Sequence, residues 1–308
     1  MNLASAAGVY AIAVTPFDAA GGVDFASIDR MMDFYLKCGV DGLTILGVMG
    51  EAQKLDADES LAVVRRVIAG AERRPVVVGV SAPGFAAMRA LAKGSMDAGA
   101  AGVMIAPPMS LRTDDSIVNY FRQAAGAIGA DIPFVIQDYP LNFQVVMTPK
   151  VIREIVGENA SCAMLKHEDW PGLEKISALR GFQAEGSMRQ ISILCGNGGL
   201  FLDFEMERGA DGAMTGYAFP DMLVDVVRLS KSGERAKAHD LFDAHLPLLR
   251  YEQQPGLGLA VRKYVLQKRG AIAGDAQRAP AAGLSAKARA EVDFLIERLA
   301  RVDSRAAL

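Results

Sequence analysis

Eight short apolar runs, each followed by an amphipathic helix pattern, restrict the folds open to this chain of 308 residues more than any other feature. In the first helix pattern, Ile28, Met31 and Tyr35 recur at helical spacing. Continuous apolar strands that alternate with such helices are typical of a parallel sheet covered on both faces. The apolar runs span residues 9–17, 42–47, 76–82, 102–108, 133–140, 163–168, 191–196 and 212–219.

Eight strand–helix units predict a closed (β/α)8 TIM barrel. The alternative is an open doubly wound sheet, but the G-x-G-x-x-G turn typical of that fold is missing after the first run. From residue 233 onward the alternation stops and three helix patterns follow, with a linker rich in Pro, Ala and Gly at 270–283. The predicted organisation is therefore an α/β barrel over residues 1–232 and a C-terminal helical extension over residues 233–308.

Charge and composition exclude several classes of protein. The formal net charge of −3 gives no basic surface for nucleic acid. No apolar run approaches the roughly 20 residues of a membrane helix, and no basic segment precedes the apolar N-terminal residues, so we expect a cytoplasmic protein without a membrane partner. Cys38, Cys162 and Cys195 are expected to be reduced thiols, and neither they nor the histidines have metal-ligand spacing. We therefore expect no metal and no cofactor.

A single cationic residue, Lys166, stands at the C-terminal ends of the eight predicted strands, where barrels of this type carry their reactive groups. Among apolar strand ends an ammonium loses solvation, which lowers its pKa and frees the amine as a nucleophile for a Schiff base with a carbonyl substrate. The alternative is a lysine whose ammonium reaches solvent at the barrel mouth. The spacing alone leaves both interpretations open.

Four motifs of the chain resemble the dihydrodipicolinate synthase / N-acetylneuraminate lyase family of pyruvate-dependent class I aldolases and dehydratases. They are VTPF at 14–17, GVMGE at 47–51, QDYP at 137–140 and LKHE at 165–168. The resemblance covers nearly the whole chain. It implies a TIM barrel, Lys166 as the Schiff-base lysine, and a homo-oligomer that is commonly a tetramer, with a dimer as the other expectation.

The chain departs from this family at the G-x-x-G-E turn. Family members usually hold two threonines there, which bind the carboxylate of the 2-oxo acid and relay protons, whereas this chain has Val48 and Met49. The backbone N–H groups of Val48, Met49 and Gly50 still offer a site for a carboxylate, because that role needs no side chain. They do not offer a hydroxyl relay.

The family tyrosine is also displaced. Its usual position, three residues before Pro140, holds Gln137, and Tyr139 follows two residues later on the same face of the strand. Tyr139 is either a general acid/base or a packed aromatic side chain. Gln137 is expected to orient the substrate without moving protons.

Two features of true dihydrodipicolinate synthases are missing. Asn142 stands where the resemblance implies an arginine for the aldehyde substrate, and Pro108 and Met109 stand where it implies a tyrosine contributed across the subunit interface. The chain is therefore not expected to act in lysine biosynthesis.

Glu168, two residues after Lys166, faces the same side if the strand continues. It is expected either to hold a proton or a substrate hydroxyl, or to cap the following helix. Asn197, in the CGNGG end of the seventh strand, is expected to contact a substrate hydroxyl, and Met214 to pack nearby. His167 is expected to point away from Lys166, towards the helix layer, as a structural histidine with its hydrogen bonds satisfied.

These features predict a Schiff-base-forming lyase that acts on a small-molecule 2-oxo acid. The Q-D-x-P and K-x-E motifs are similar to those of dehydratases of 2-keto-3-deoxy sugar acids, and the missing hydroxyls favour dehydration over aldol cleavage. One alternative is a barrel that binds a 2-oxo acid without converting it, as a sensor or degenerate paralogue. The other is a synthase-like condensation of pyruvate with an aldehyde.

Overall fold

Eight parallel strands close into a barrel in chain order, with β1 paired to both β2 and β8. The computed structural model describes residues 2–308. This closure confirms the predicted TIM barrel, and the open-sheet alternative is wrong. The strands are β1 Gly8–Ile12, β2 Gly42–Ile45, β3 Val76–Gly79, β4 Gly102–Ile105, β5 Phe134–Asp138, β6 Cys162–His167, β7 Ser192–Cys195 and β8 Gly212–Thr215.

Helices lie between successive strands and continue after β8. A capping box begins α2, because the Asp56 side chain accepts from the Glu59 N–H and the Glu59 side chain accepts from the Asp56 N–H. A short helix after β5, α5, was not predicted. The helices are α1 Phe25–Lys37, α2 Ala57–Gly70, α3 Phe85–Asp97, α4 Asp114–Ile128, α5 Pro140–Phe143, α6 Pro149–Glu158, α7 Leu173–Ala184, α8 Leu202–Glu207, α9 Pro220–Lys231, α10 Arg235–Glu252, α11 Gly258–Lys268 and α12 Ala286–Leu299.

The apolar core has two layers, because the strands are buried on both faces. The outer layer lies between strands and helices. The inner layer fills the barrel below the strand ends with side chains that each contribute about 1.5–3 kcal/mol on burial. Its members include Tyr10, Ile12, Val77, Met104, Val135, Met164, Leu194 and Met214. This filling closes the interior below the strand ends and leaves space for a ligand at the C-terminal mouth of the barrel.

A buried ion pair joins α11 to the turn after β2. Lys263 Nζ lies 2.5 Å from Glu51 Oε1 and donates to the carbonyl oxygens of Thr15 and Ala276, both at 2.8 Å. Burial lowers the pKa of Lys263, and the hydrogen bond to Glu51 opposes that change. Because a lost partner would leave a buried charge uncompensated, this pair fixes α11 over the barrel mouth.

Across residues 2–308, no helix combines the length and the apolar character needed to cross a membrane.

Candidate active site

Gln137 and Lys166 lie side by side at the mouth, as register partners of the neighbouring strands β5 and β6. Glu168 continues the path of β6, because its N–H donates to the carbonyl oxygen of Asp138 at 2.9 Å. Strand alternation therefore places Lys166 and Glu168 on the same inner face.

The Glu168 carboxylate connects these side chains. Its Oε2 lies 2.9 Å from Lys166 Nζ and accepts from Gln137 Nε2 at 2.8 Å. Its Oε1 accepts from the backbone N–H of Asn197 at 3.2 Å. Lys166 is only 5% exposed, so its amine does not extend into solvent. The carboxylate lies within hydrogen-bond distance of this amine. The expectation that Glu168 caps the next helix is wrong, because α7 has Gly172 as its N-cap, without a side-chain cap.

Thirteen residues line a cavity around this lysine, named here the Lys166 cavity. Every site residue predicted from the sequence lines it except Gly50 and Met214. Gly50 is buried with its N–H bonded to the Gly47 carbonyl oxygen at 3.0 Å, and Met214 belongs to the inner apolar layer below the mouth. The lining residues are Ile12, Val48, Met49, Gln137, Tyr139, Lys166, Glu168, Asn197, Gly198, Thr215, Gly216, Gln253 and Arg262.

The turn after β2 presents backbone to the Lys166 cavity. Residues Val48–Gly50 form one turn of 3-10 helix. Unlike the Gly50 N–H, the amide N–H groups of Val48 and Met49 make no hydrogen bond within residues 2–308. Two neighbouring amides in this arrangement can bind a carboxylate oxygen.

Tyr139 is half-buried and both lines the Lys166 cavity and packs against an aromatic ring. Its ring centroid lies 6.3 Å from that of Phe143 in an edge-to-face arrangement. Burial, with a smaller repulsion from Glu168, raises the pKa of Tyr139 to about 12. The phenol therefore keeps its proton at neutral pH, so it can donate a proton but cannot act as a base there.

The sequence interpretation missed six lining residues: Ile12, Gly198, Thr215, Gly216, Gln253 and Arg262. The first four lie at or just after the ends of β1, β7 and β8, where strand-end position alone was a signal. Gln253 follows α10 and Arg262 lies on α11, and no motif marked either as a site residue. Both reach the mouth only because the C-terminal helices pack over it.

Side chains on the outer side of the same strand ends form a second buried cluster. Asp138 Oδ2 lies 2.7 Å from Lys175 Nζ of α7, and the same ammonium lies 2.6 Å from Asp169 Oδ2. His167 is buried here and points away from Lys166, as predicted, with Nδ1 3.9 Å from Asp138 Oδ2. The expectation of satisfied hydrogen bonds is wrong, because neither ring nitrogen has a hydrogen-bond partner within residues 2–308. This cluster fixes β5 and β6 to α7 and thereby supports the inner face that carries Lys166.

Glu205 of α8 is buried behind β7, near Cys195 and His167. Burial raises the pKa of its carboxyl from 4.5 to about 7, while the neighbouring His167 opposes that shift. The folded state therefore keeps a proton that the unfolded chain releases, and the free energy of unfolding falls as pH rises from about 4.5 to 7. The full effect is on the order of 3 kcal/mol.

The Glu205→Gln variant should lose this pH dependence, because an amide does not titrate. We expect its melting temperature to change less than that of the unmodified protein between pH 5 and pH 8, as measured by circular dichroism. The exposed residue Glu185 supplies the control, since the melting temperature of the Glu185→Gln variant should change with pH as it does in the unmodified protein. If the melting temperatures of the Glu205→Gln variant and the unmodified protein changed equally with pH, the raised pKa of Glu205 would be contradicted.

Comparison with known proteins agrees with this fold and site. The model of the dihydrodipicolinate synthetase family matches residues 5–299. L-2-keto-3-deoxyarabonate dehydratase of Azospirillum brasilense is 29% identical over 301 residues, which cover 95% of this chain and 94% of that protein. A 4-hydroxy-tetrahydrodipicolinate synthase of Geobacter metallireducens is 28% identical over 242 residues, which cover 77% of this chain and 79% of that protein.

A solved structure gives a higher similarity. The crystal structure of dihydrodipicolinate synthase from Rhodopseudomonas palustris is 68% identical, with a TM-score of 0.95 over 96% of this chain and 98% of that one. The family match extends across almost all of the barrel and the C-terminal helices. The chain is therefore a lyase of the dihydrodipicolinate synthetase family.

Proposed function

We propose that this protein is a Schiff-base-forming lyase of 2-oxo acids, and that it dehydrates a 2-keto-3-deoxy sugar acid. The observation that carries the proposal is the buried Lys166 amine, 2.9 Å from the Glu168 carboxylate in the Lys166 cavity. A buried amine beside a proton acceptor is the arrangement that nucleophilic attack on a ketone requires.

The first step forms the imine. Lys166 Nζ attacks the C2 ketone of the substrate, and Glu168 takes the proton that the attacking amine must lose. Glu168 passes this proton to the former ketone oxygen, which takes a second proton from solvent and leaves as water. An iminium ion and an unprotonated Glu168 carboxylate remain. The carboxylate of the substrate would lie on the free amide N–H groups of Val48 and Met49. Gln137 and Asn197 hold Glu168 in place through their hydrogen bonds to its two oxygens.

The iminium ion then accepts the electrons released at C3. Glu168 removes a C3 proton to give an enamine, and Tyr139 donates its proton to the departing C4 hydroxyl, which leaves as water. Hydrolysis of the resulting imine returns the Lys166 amine, and the C3 proton held by Glu168 passes to the Tyr139 phenolate, so that both groups return to their starting forms. An aldolase would instead cleave the C3–C4 bond and release an aldehyde and pyruvate.

Two observations support dehydration over aldol cleavage. Val48 and Met49 provide no hydroxyl relay at the turn. In addition, the relative from Azospirillum brasilense, which aligns along 95% of this chain, is a keto-deoxy sugar acid dehydratase.

Condensation of pyruvate with an aldehyde is the second candidate function, because the similar Rhodopseudomonas palustris structure carries the name of a dihydrodipicolinate synthase. The absence of an arginine at Asn142 argues against it. A barrel that only binds a 2-oxo acid is a weaker candidate, since binding alone has no need of a buried amine.

Product analysis by mass spectrometry separates these reactions. From a panel of 2-keto-3-deoxy sugar acids that carry one carboxylate or two, including 2-keto-3-deoxyarabonate and 2-keto-3-deoxygluconate, we expect a product lighter than its substrate by one water, without pyruvate. Pyruvate together with an aldehyde would indicate an aldolase. Condensation of pyruvate with aspartate semialdehyde would indicate the synthase. Turnover of none of these compounds would contradict the lyase proposal.

A further inference from the structure

Two side chains from the C-terminal helices complete the Lys166 cavity. Gln253 directly follows α10, and Arg262 lies on α11. Both side chains face the ends of β7 and β8, and the residues at these two strand ends carry no charge. The chemistry proposed above uses neither of them.

A glycine makes room for each of these side chains. A Cβ atom at Gly198 would lie 2.1 Å from Gln253 Nε2, and one at Gly216 would lie 2.3 Å from Arg262 Nη1. Both distances are far below any normal van der Waals contact, so another residue at either position would displace the side chain from the cavity. The two strand ends are therefore shaped around Gln253 and Arg262.

The guanidinium of Arg262 has donors left for a ligand. Its Nε donates to Glu252 Oε1 at 2.5 Å, and Glu252 Oε2 accepts from the Ala218 N–H at 3.3 Å. Neither Nη1 nor Nη2 makes a hydrogen bond with any part of the chain between residues 2 and 308. Arg262 is only 2% exposed, so these donors face the cavity and not bulk water. A ligand that accepts from both Nη atoms would complete the hydrogen bonding of the guanidinium.

The cavity thus contains two separate sets of donors. The amide N–H groups of Val48 and Met49 suit the carboxylate beside the ketone, and the Nη atoms of Arg262 remain for a second group. A planar guanidinium pairs best with a carboxylate, through two parallel hydrogen bonds. A lone hydroxyl would satisfy only one of these donors.

We propose that Arg262 binds a second carboxylate at the end of the substrate far from the ketone, so that the substrates are 2-oxo dicarboxylic acids. Gln253 provides an amide beside the same end. This inference rests on the proposed function, since it places the ketone at Lys166, and it narrows the sugar acid to one with an acid group at both ends.

Two ligands of equal chain length isolate the second carboxylate. 2-Oxoglutarate and 2-oxopentanoate differ only in having a carboxylate or a methyl group at C5. Calorimetric titration of the intact protein should give a dissociation constant for 2-oxoglutarate lower by roughly tenfold to a hundredfold, the range of a charge-assisted hydrogen-bonded pair.

In the Arg262→Gln variant the ratio of the two dissociation constants should fall to about one, and Arg262→Lys should restore part of it. Arg262→Gln leaves Glu252 buried without its partner, so the double variant Arg262→Gln/Glu252→Gln repeats the test with both charges removed. Arg250→Gln, an exposed arginine of α10, should leave the ratio unchanged. The inference would be overturned if the unmodified protein bound 2-oxoglutarate and 2-oxopentanoate equally well. It would also be overturned if the preference for 2-oxoglutarate survived in both variants that carry Arg262→Gln.

Borohydride trapping of the same complexes tests the proposed function separately. A preference for 2-oxoglutarate that depends on Arg262, without any trapped adduct, would support the role of Arg262 and contradict the imine chemistry. An adduct on Lys166 that forms equally well with both ligands would support the imine chemistry and overturn the role of Arg262.

Discussion

Replacing Lys166 with alanine is expected to abolish the adduct that borohydride traps with pyruvate and to reduce lyase turnover by about 10⁴-fold or more. The amine is the only group of the Lys166 cavity that can form an imine, and the imine provides the electron sink for the C3 carbanion. Intact-mass spectrometry after reduction measures the adduct, and product formation from a keto-deoxy sugar acid measures turnover.

An exposed lysine supplies the matched control. Lys150 of α6 lies outside the cavity, so Lys150→Ala should retain the adduct and the turnover of the unmodified protein. Peptide mapping should place the adduct on Lys166. An adduct that persists in Lys166→Ala at another lysine would refute the assignment. A protein that forms no adduct but binds 2-oxo acids equally well with and without Lys166 would instead be the non-catalytic barrel.

Replacing Glu168 with glutamine is expected to lower turnover by roughly 10²- to 10⁴-fold, because an amide cannot accept a proton. The exchange of the C3 hydrogens of pyruvate with D2O isolates this step, since it needs the imine and a base but no second substrate. Proton NMR should show rapid exchange with the unmodified protein and exchange slowed by a similar factor in Glu168→Gln. The adduct with pyruvate should still form, although more slowly.

Two variants make this result specific. Glu185→Gln should exchange at the unmodified rate, because Glu185 is exposed and remote from the mouth. Tyr139→Phe should slow dehydration more than exchange, because the pKa of Tyr139, raised to about 12, suits a proton donor and not a base. Exchange that survives in Glu168→Gln but is lost in Tyr139→Phe would transfer the role of the base to the tyrosine.

Local pattern was sufficient for the barrel and for the residues at the ends of its strands. The alternation of apolar runs and amphipathic helices determined the eight units, because each element must bury its apolar face against the next layer. The position of Lys166 at a strand end and the period of two along β6 placed Lys166 and Glu168 on one face.

The sequence did not decide the role of Glu168 on the inner face of the barrel. Capping of the next helix and a role at the mouth were both compatible with its spacing. The hydrogen bond from its N–H to the Asp138 carbonyl oxygen prolongs the strand path and turns the carboxylate inward. This bond depends on the register between β5 and β6, which no short segment specifies.

The sequence by itself determined the barrel, the lysine at its mouth and the loss of hydroxyls at the turn after β2. Only the tertiary structure decided what covers that mouth. Arg262 reaches the cavity because the Lys263–Glu51 ion pair fixes α11 over the barrel and because Gly216 leaves space for the guanidinium. These contacts join residues more than 40 positions apart in the chain. Periodicity determines which face of an element is buried, whereas long-range packing determines which elements meet.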